Sequence, residues 1–257
     1  MKIGFSPALG LLFRCPACAA GPDTRTFPFC APCADSLVSA PPLNFHPSDA
    51  QPWNTRFKDH QIDRLRARYL MVEPGYSVLR RWKTSPSPAL QQLLLHDFAP
   101  RFDDLARQAD LIAPVPQTHR RAWRLGGSPA RRLGTLLSQH ANKPLLPVHA
   151  ARPIHRLNAI APTSQAKNPV ETRLSAPPRF ELLEPLPHSV RRILLVDDFM
   201  TTGQTLCAFA RSLLLGALAQ GHPQAANLRL DVVCLGLRLH RLNRGGGTVT
   251  VRQENQG

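Results

Sequence analysis

The segment Asp197 to Thr205 concentrates the residues best suited to chemistry in this 257-residue chain. Ile193-Leu194-Leu195-Val196 leads into Asp197-Asp198, and Phe199-Met200 leads on to Thr201-Thr202-Gly203-Gln204-Thr205. A short run that is apolar at every position reads as a strand buried on both faces, as in a parallel sheet. A loop rich in hydroxyls and glycine that enters a helix reads as an anion site, because backbone amides, threonine hydroxyls and the positive end of the helix dipole converge there. Gly203 allows close backbone approach to a ligand. Carboxylates beside a phosphate loop fit a sugar phosphate, the acids taking sugar hydroxyls and the loop taking phosphate. Without a ligand the same residues would be a buried strand, an Asp-rich turn and a Thr-capped helix. No GxxxxGK[ST] pattern occurs in the chain, which excludes a Walker-type nucleotide loop.

A second cluster lies near the start. Cys15-Pro16-Ala17-Cys18 and Cys30-Ala31-Pro32-Cys33 are two CxxC pairs with eleven residues between them. Each pair can aim two thiolates at one ion, and together they complete a closed, tetrahedral zinc site of structural type. Disulfides or an iron-sulfur cluster are the alternatives. A reducing cytosol disfavours disulfides, and so short a segment needs some cross-link to fold. Cys207 and Cys234 fall on a predicted helix and a predicted strand and read as core residues.

The elements that must position these groups alternate. Strands are predicted at Leu111 to Val115, Leu145 to Val148, Ile193 to Val196 and Leu230 to Leu235. Leu90, Leu93, Leu94 and Phe98 recur at helical spacing after Pro86 and Pro88. Ser128-Pro129 is a helix start, since serine caps free amides and proline fits the first helical position without losing a bond; Leu133, Leu136 and Leu137 follow as its buried face. Another helix runs from about Thr202, with Leu206, Phe209, Ala210, Leu213 and Ala217 on one side. Between Trp53 and Leu70, Arg56, Lys58, Arg64, Arg66 and Arg68 surround the stripe Phe57, Ile62, Leu65 and Tyr69, which reads as a basic surface helix. The fold class expected is α/β, an open, mainly parallel sheet covered on both faces, with ligands beyond the C-terminal strand ends. The zinc-binding module is expected over residues 11–40, a Pro-rich and basic connection over 41–75, the α/β domain over 76–240 and a flexible tail over 241–257.

The formal net charge of +15 comes mainly from arginine and will attract phosphates. A bias in base composition and a merely solvated surface would give the same count. The apolar stretch Pro7 to Phe13 falls far short of the ~20 residues a membrane-spanning helix needs. Cleavage near Ala17-Cys18-Ala19 would destroy the cysteine cluster. A cytoplasmic protein without a transmembrane segment is expected.

The stretch Arg191 to Thr205 closely resembles the phosphoribosyl pyrophosphate (PRPP) signature of type I phosphoribosyltransferases, where hydrophobics, two acids and a Thr-Thr-Gly-x-Thr loop occur in this order. The resemblance implies that Asp197 and Asp198 contact the ribose hydroxyls and would stabilise positive charge on the sugar if transfer occurs. It also implies that Thr201, Thr202, Gly203 and Thr205 cradle the 5'-phosphate, with Val196 and Gln204 completing the PRPP-binding set. By position, Pro114 to Arg121 corresponds to the loop that holds pyrophosphate and magnesium, with Val115, Pro116, Arg120 and Arg121 as its candidates.

The four-cysteine module, Tyr76 followed by Arg80-Arg81-Trp82-Lys83, Pro114-Val115-Pro116 and the PRPP motif together resemble the ComF competence family. Arg124-Leu125-Gly126-Gly127-Ser128-Pro129-Ala130 looks like a worn form of its RRGFNPA segment. Gly127 and Ser128 replace an aromatic residue and Asn, and Ser175 falls where Asn is usual, so loops presenting a second substrate are expected to differ. Membership would imply a role in natural transformation, handling incoming single-stranded DNA in the cytoplasm with competence or DNA-uptake proteins as partners. Trp53, Phe57, Tyr76, Trp82 and Trp123, lying among basic residues, suit base stacking or the core. The rival expectations are a salvage or biosynthetic phosphoribosyltransferase acting on a nucleobase or amine, and an adaptor that only senses PRPP.

Overall fold

The apolar run at 193–196 becomes the middle of strand β6 (Arg192–Met200), and its four side chains are completely buried. In this computed structural model, residues 37, 43–44, 60–72, 75–84, 97–117, 125, 127–147, 151–154 and 179–238 are described. β6 lies between β3 (Leu111–Pro114) and β7 (Arg229–Leu237), parallel to both, with Leu111 opposite Ile193 and Ile193 opposite Leu230. β2 (Ile62–Leu70) runs parallel along β7, and β1 (Leu43–Asn44) pairs antiparallel with β2. A separate antiparallel ribbon joins β4 (Ala151–Ile154) to β5 (Arg179–Leu182). The mixed α/β fold with a parallel sheet agrees with the alternation of the sequence.

Strand alternation sends β6 side chains to two cores. Ile193 and Leu195 join the cluster containing Leu206, Phe209, Ala210, Leu213 and Ala217 of α4 (Gln204–Ala219). Leu194 and Val196 join the cluster on the other face, built with α1 (Gly75–Thr84), α2 (Asp103–Gln108) and α3 (Pro129–Ala141). α3 begins as expected: Ser128 Oγ accepts the Arg131 N–H at 3.3 Å, and Pro129 opens the helix. Its Gly134 abuts the end of β3, where an added Cβ would lie 2.5 Å from Pro114 Cγ.

The connections explain where a crevice opens. From β3 the chain passes through α3 to Leu145, which bridges in parallel to Ile112 on the side of β3 away from β6. From β6 it passes through α4 to β7 in the opposite direction. Crossovers of one hand that run in opposite directions must cover opposite faces, and the strand ends between them are left uncovered. That switch point lies between the C-terminal ends of β3 and β6.

Two expectations need correction. The basic stretch is a strand, not a surface helix, over its described part: Leu65, Ala67 and Tyr69 are buried and alternate with half-buried Arg64, Arg66 and Arg68, a period of two. The strand lies against β7, inside the sheet. The strand expected at Leu145 to Val148 reduces to the Leu145 bridge and its neighbours, with Ile112 N–H donating to Pro144 O at 2.9 Å and Leu146 N–H to Ile112 O at 2.8 Å; Val148 lies outside the described residues. Leu90, Leu93 and Leu94 also lie outside them, whereas Phe98 is buried in helical residues 97–101. Cys207 and Cys234 are buried core residues, as read.

Candidate functional site

β6 continues past Val196 to Met200, so Asp197 and Asp198 lie within the strand rather than just beyond it. Both are buried, at 8% and 3% exposure. Although consecutive in the strand, the two carboxyl groups lie close enough to interact, Asp198 acting on Asp197 through its charge and its side chain. Asp198 faces α1, where Lys83 Nζ lies 2.6 Å from its Oδ2. Asp197 stands opposite Cys234 of β7, on the face covered by α4.

β3 pairs with β6 as far as the Val115 N–H, which donates to Val196 O at 2.9 Å. Beyond that point the acids take up backbone donors. Asp197 Oδ1 accepts the Asp198 N–H at 2.8 Å, and Asp198 Oδ1 accepts the Phe199 N–H at 2.7 Å. Burial, followed by the negative charge of Asp198, raises the Asp197 carboxyl well above its usual range; the Asp198 amide and the Lys83 ammonium oppose the shift. Burial likewise pushes the Cys234 thiol up, with Asp197 adding to it. Asp197 therefore keeps its proton to a higher pH than a free aspartate, whereas Asp198 sits in an ion pair with Lys83.

The loop after β6 takes the form the sequence predicts. Thr201 and Thr202 are half-buried, and Gly203 is buried in a left-handed conformation with φ 70° and ψ −3°. That conformation favours glycine. Gly203 is the N-cap of α4, and its carbonyl accepts the Cys207 N–H at 2.9 Å. It offers no side-chain cap, and the first turn of α4 holds no acid, so the positive end of the helix is not countered locally. Gln204 is half-buried and Thr205 exposed at this end. The Val196 side chain is in the core.

Across the crevice, Val115 is buried, Pro116 and Gln117 are half-buried, and Gln117 Oε1 is a buried acceptor without a partner. Arg120 and Arg121 of the same loop lie outside the described residues, as do Cys15, Cys18, Cys30 and Cys33.

Lys83 and Phe199 were given no site role from sequence, and Trp82, read as suited to base stacking or the core, is buried in the core. Lys83 Nζ also lies 4.8 Å from the centre of the Phe199 ring, which in turn is 6.3 Å from the Trp82 ring. Gly236, opposite Phe199 on β7, makes room for that ring: a Cβ there would lie 2.9 Å from Phe199 Cδ1. One sequence signal was present. Val78, Leu79 and Trp82 form the buried side of α1, and Lys83 falls one turn after Leu79, on the apolar side of an amphipathic helix.

The fold and crevice define an α/β protein with a parallel sheet and a candidate ligand site at its switch point. No protein-family profile matches the chain, and no curated protein matches it. Among solved structures, it is similar to a purine phosphoribosyltransferase from Pyrococcus horikoshii Ot3, with a TM-score of 0.33 and 16% sequence identity, over 59% of this chain and 75% of that one. Among the described residues no helix is long and apolar enough to cross a membrane.

Proposed function

We propose that the chain is a phosphoribosyltransferase-like protein of ComF type that binds PRPP at the β3–β6 switch point. The observation that carries the reading is the succession, at the C-terminal end of the interior strand β6, of two buried acids and a glycine-capped helix start. In this reading Asp197 and Asp198 receive the ribose hydroxyls. Thr201, Thr202 and Thr205 supply hydroxyls to the 5'-phosphate, and the Gly203 turn and the start of α4 supply amides.

Pyrophosphate would lie toward Val115 to Arg121. Magnesium belongs to the reading as the companion of PRPP's pyrophosphate, where it would neutralise charge on the leaving group. Should transfer occur, the bond from the ribose anomeric carbon to pyrophosphate breaks as a nucleophile attacks. Asp197 and Asp198 then hold the ribose hydroxyls while positive charge develops on the sugar.

A role in handling single-stranded DNA, alongside competence or DNA-uptake proteins, is proposed from the ComF resemblance and the net charge of +15. Arg64, Arg66 and Arg68 do not form its track, because each is engaged with an aspartate: Asp231, Asp104 and Asp97 respectively. Calorimetry with PRPP and magnesium, followed by a pyrophosphate-release assay over a panel of nucleobases and amines, tests the reading. PRPP binding without base-dependent release is expected. Absence of PRPP binding would overturn it, and robust base-dependent release would favour a salvage or biosynthetic enzyme instead.

A further inference from the structure

Asp198 Oδ1 accepts the Phe199 N–H at 2.7 Å, whereas Oδ2 lies 2.6 Å from Lys83 Nζ in an ion pair that lacks hydrogen-bond alignment. The pair is well sheltered, with side-chain exposures of 4% for Asp198 and 15% for Lys83. A carboxylate this buried stays ionised only beside a charge partner. Its cation comes from the last turn of α1, a helix on the face opposite α4, and the ring of Phe199 beneath the ammonium adds a second attraction. Charge at the sugar end of the crevice is therefore set by an element outside the motif that runs from Asp197 to Thr205.

We propose that Lys83 is a positioning residue of the sugar-phosphate site, holding the Asp198 carboxylate in place and cancelling its charge so that the crevice accepts a ligand bearing several phosphates. The proposal rests on the phosphoribosyl reading above. Oδ2, buried and without a hydrogen-bond partner among the described residues, is the oxygen left for a ligand hydroxyl, beside the Lys83 ammonium. The ammonium can stay beside that oxygen while a hydroxyl donates to it, because a carboxylate oxygen has two lone pairs. A phosphate-rich ligand that met Asp198 without Lys83 would instead meet an uncompensated negative charge at close range in a sheltered site, where repulsion is poorly screened.

The test compares wild type, Lys83→Met, Lys83→Gln and Lys83→Arg by calorimetry with PRPP and magnesium, after circular dichroism has shown each to be folded. Lys83→Met is expected to weaken binding at least tenfold, equivalent to about 1.4 kcal/mol, and Lys83→Arg to restore it to within about threefold of wild type. A residue needed only for packing would not be rescued in this way by charge. Should Lys83→Met fail to fold, Lys83→Gln, which keeps a polar donor on a shorter, uncharged side chain, carries the same expectation. Equal or tighter binding by the neutral variants, or no rescue by arginine, overturns the proposal while leaving the phosphoribosyl reading in place. Failure of the wild type itself to bind PRPP is the distinct result that removes that reading and this proposal with it.

Discussion

Arg64 and Asp231 stand opposite each other on β2 and β7, joined by two hydrogen bonds, from Arg64 Nε at 2.8 Å and from Nη2 at 2.7 Å. Asp231 is completely buried and also receives Arg192 of β6 at 3.0 Å, so one carboxylate ties three adjacent strands together. Hydrogen bonding to Asp231 raises the Arg64 guanidinium above its ordinary value. Arg64 is thus part of the sheet's internal wiring rather than a surface free to bind polyanions.

Replacing Asp231 with Ala should therefore destabilise the protein by about 3 kcal/mol, near the lower end for breaking a buried ion pair because the arginines keep some solvent. Urea denaturation would measure the loss. Asp231 lies before the middle of β7, in register with Leu194, whereas the candidate site lies beyond Val196. PRPP affinity of the folded variant should stay at the wild-type value, and a large fall in affinity would mean that the two ends of the sheet are coupled.

Asp197 makes a prediction about pH. Its folded-state carboxyl is raised well above the ordinary 3.8, mainly by burial. Between these two values the unfolded chain has released the proton and the folded chain still holds it, so stability falls as pH rises through that window. Below the window the carboxyl is protonated in both states and no penalty applies. Asp197→Asn keeps an oxygen to accept the Asp198 amide but has nothing to ionise. Thermal melts from about pH 4 to pH 8 should show the variant gaining on wild type as pH rises. A constant difference between the two would show that burial of Asp197 does not govern its proton.

The β6–loop–α4 unit was legible because its signals are local. Ile193 to Val196 are apolar on both faces, and Gly203 precedes the periodic leucines of α4 within a few residues. Ser128-Pro129 was legible for the same reason. β2 was misread because Phe57, Ile62, Leu65 and Tyr69 can be fitted to a helical stripe, while the better alternation of Arg64, Arg66 and Arg68 with Leu65, Ala67 and Tyr69 puts arginines where solvent would be expected. Their partners Asp97, Asp104 and Asp231 are distant in sequence, so nothing local announces that these charges are neutralised within the fold. Lys83 escaped for the same reason, since its partner Asp198 arrives only when α1 docks on β6.

For the cysteine pairs, the purified protein is expected to contain about one zinc per chain. Changing Cys15 or Cys30 to Ser should release the metal and unfold the segment around it, because a structural zinc site contributes folding energy directly. Metal analysis beside limited proteolysis would report both effects. A wild type that is metal-free and equally resistant to protease would count against the four-cysteine site.

Gly236 links the sheet to the Lys83 corner. A methyl group at this position would meet the Phe199 ring at 2.9 Å and Met71 Cγ at 3.0 Å, and the neighbouring strands leave the backbone little freedom to yield. Gly236→Ala is expected to cost about 1–3 kcal/mol, the usual range for overpacking. Because the ring that moves lies beneath the Lys83 ammonium, PRPP binding should weaken as well. Pairing the substitution with Phe199→Leu, which removes the obstructing ring, should recover part of the stability without recovering the binding. Full recovery of both would show that the ring itself is dispensable.

The sharpest test of the assigned site combines Asp198→Asn with Thr202→Ala, one from the C-terminal part of β6 and the other from the turn that leads into α4. Asn at 198 removes the charge paired with Lys83, and Ala at 202 removes one hydroxyl assigned to the phosphate. Neither change leaves a large cavity, but an unpaired lysine remains beside the strand, so a loss of about 2 kcal/mol in stability is expected with the fold retained. PRPP binding should disappear. The single-stranded DNA binding proposed above offers the internal control: if it is carried by charges spread over the surface, it should weaken as salt rises, with a log-log slope of about −0.7 per phosphate neutralised, and be the same in variant and wild type. Unchanged PRPP affinity in a folded double variant would mean that the ligand binds elsewhere. Parallel loss of PRPP and DNA binding would mean that the two share the crevice.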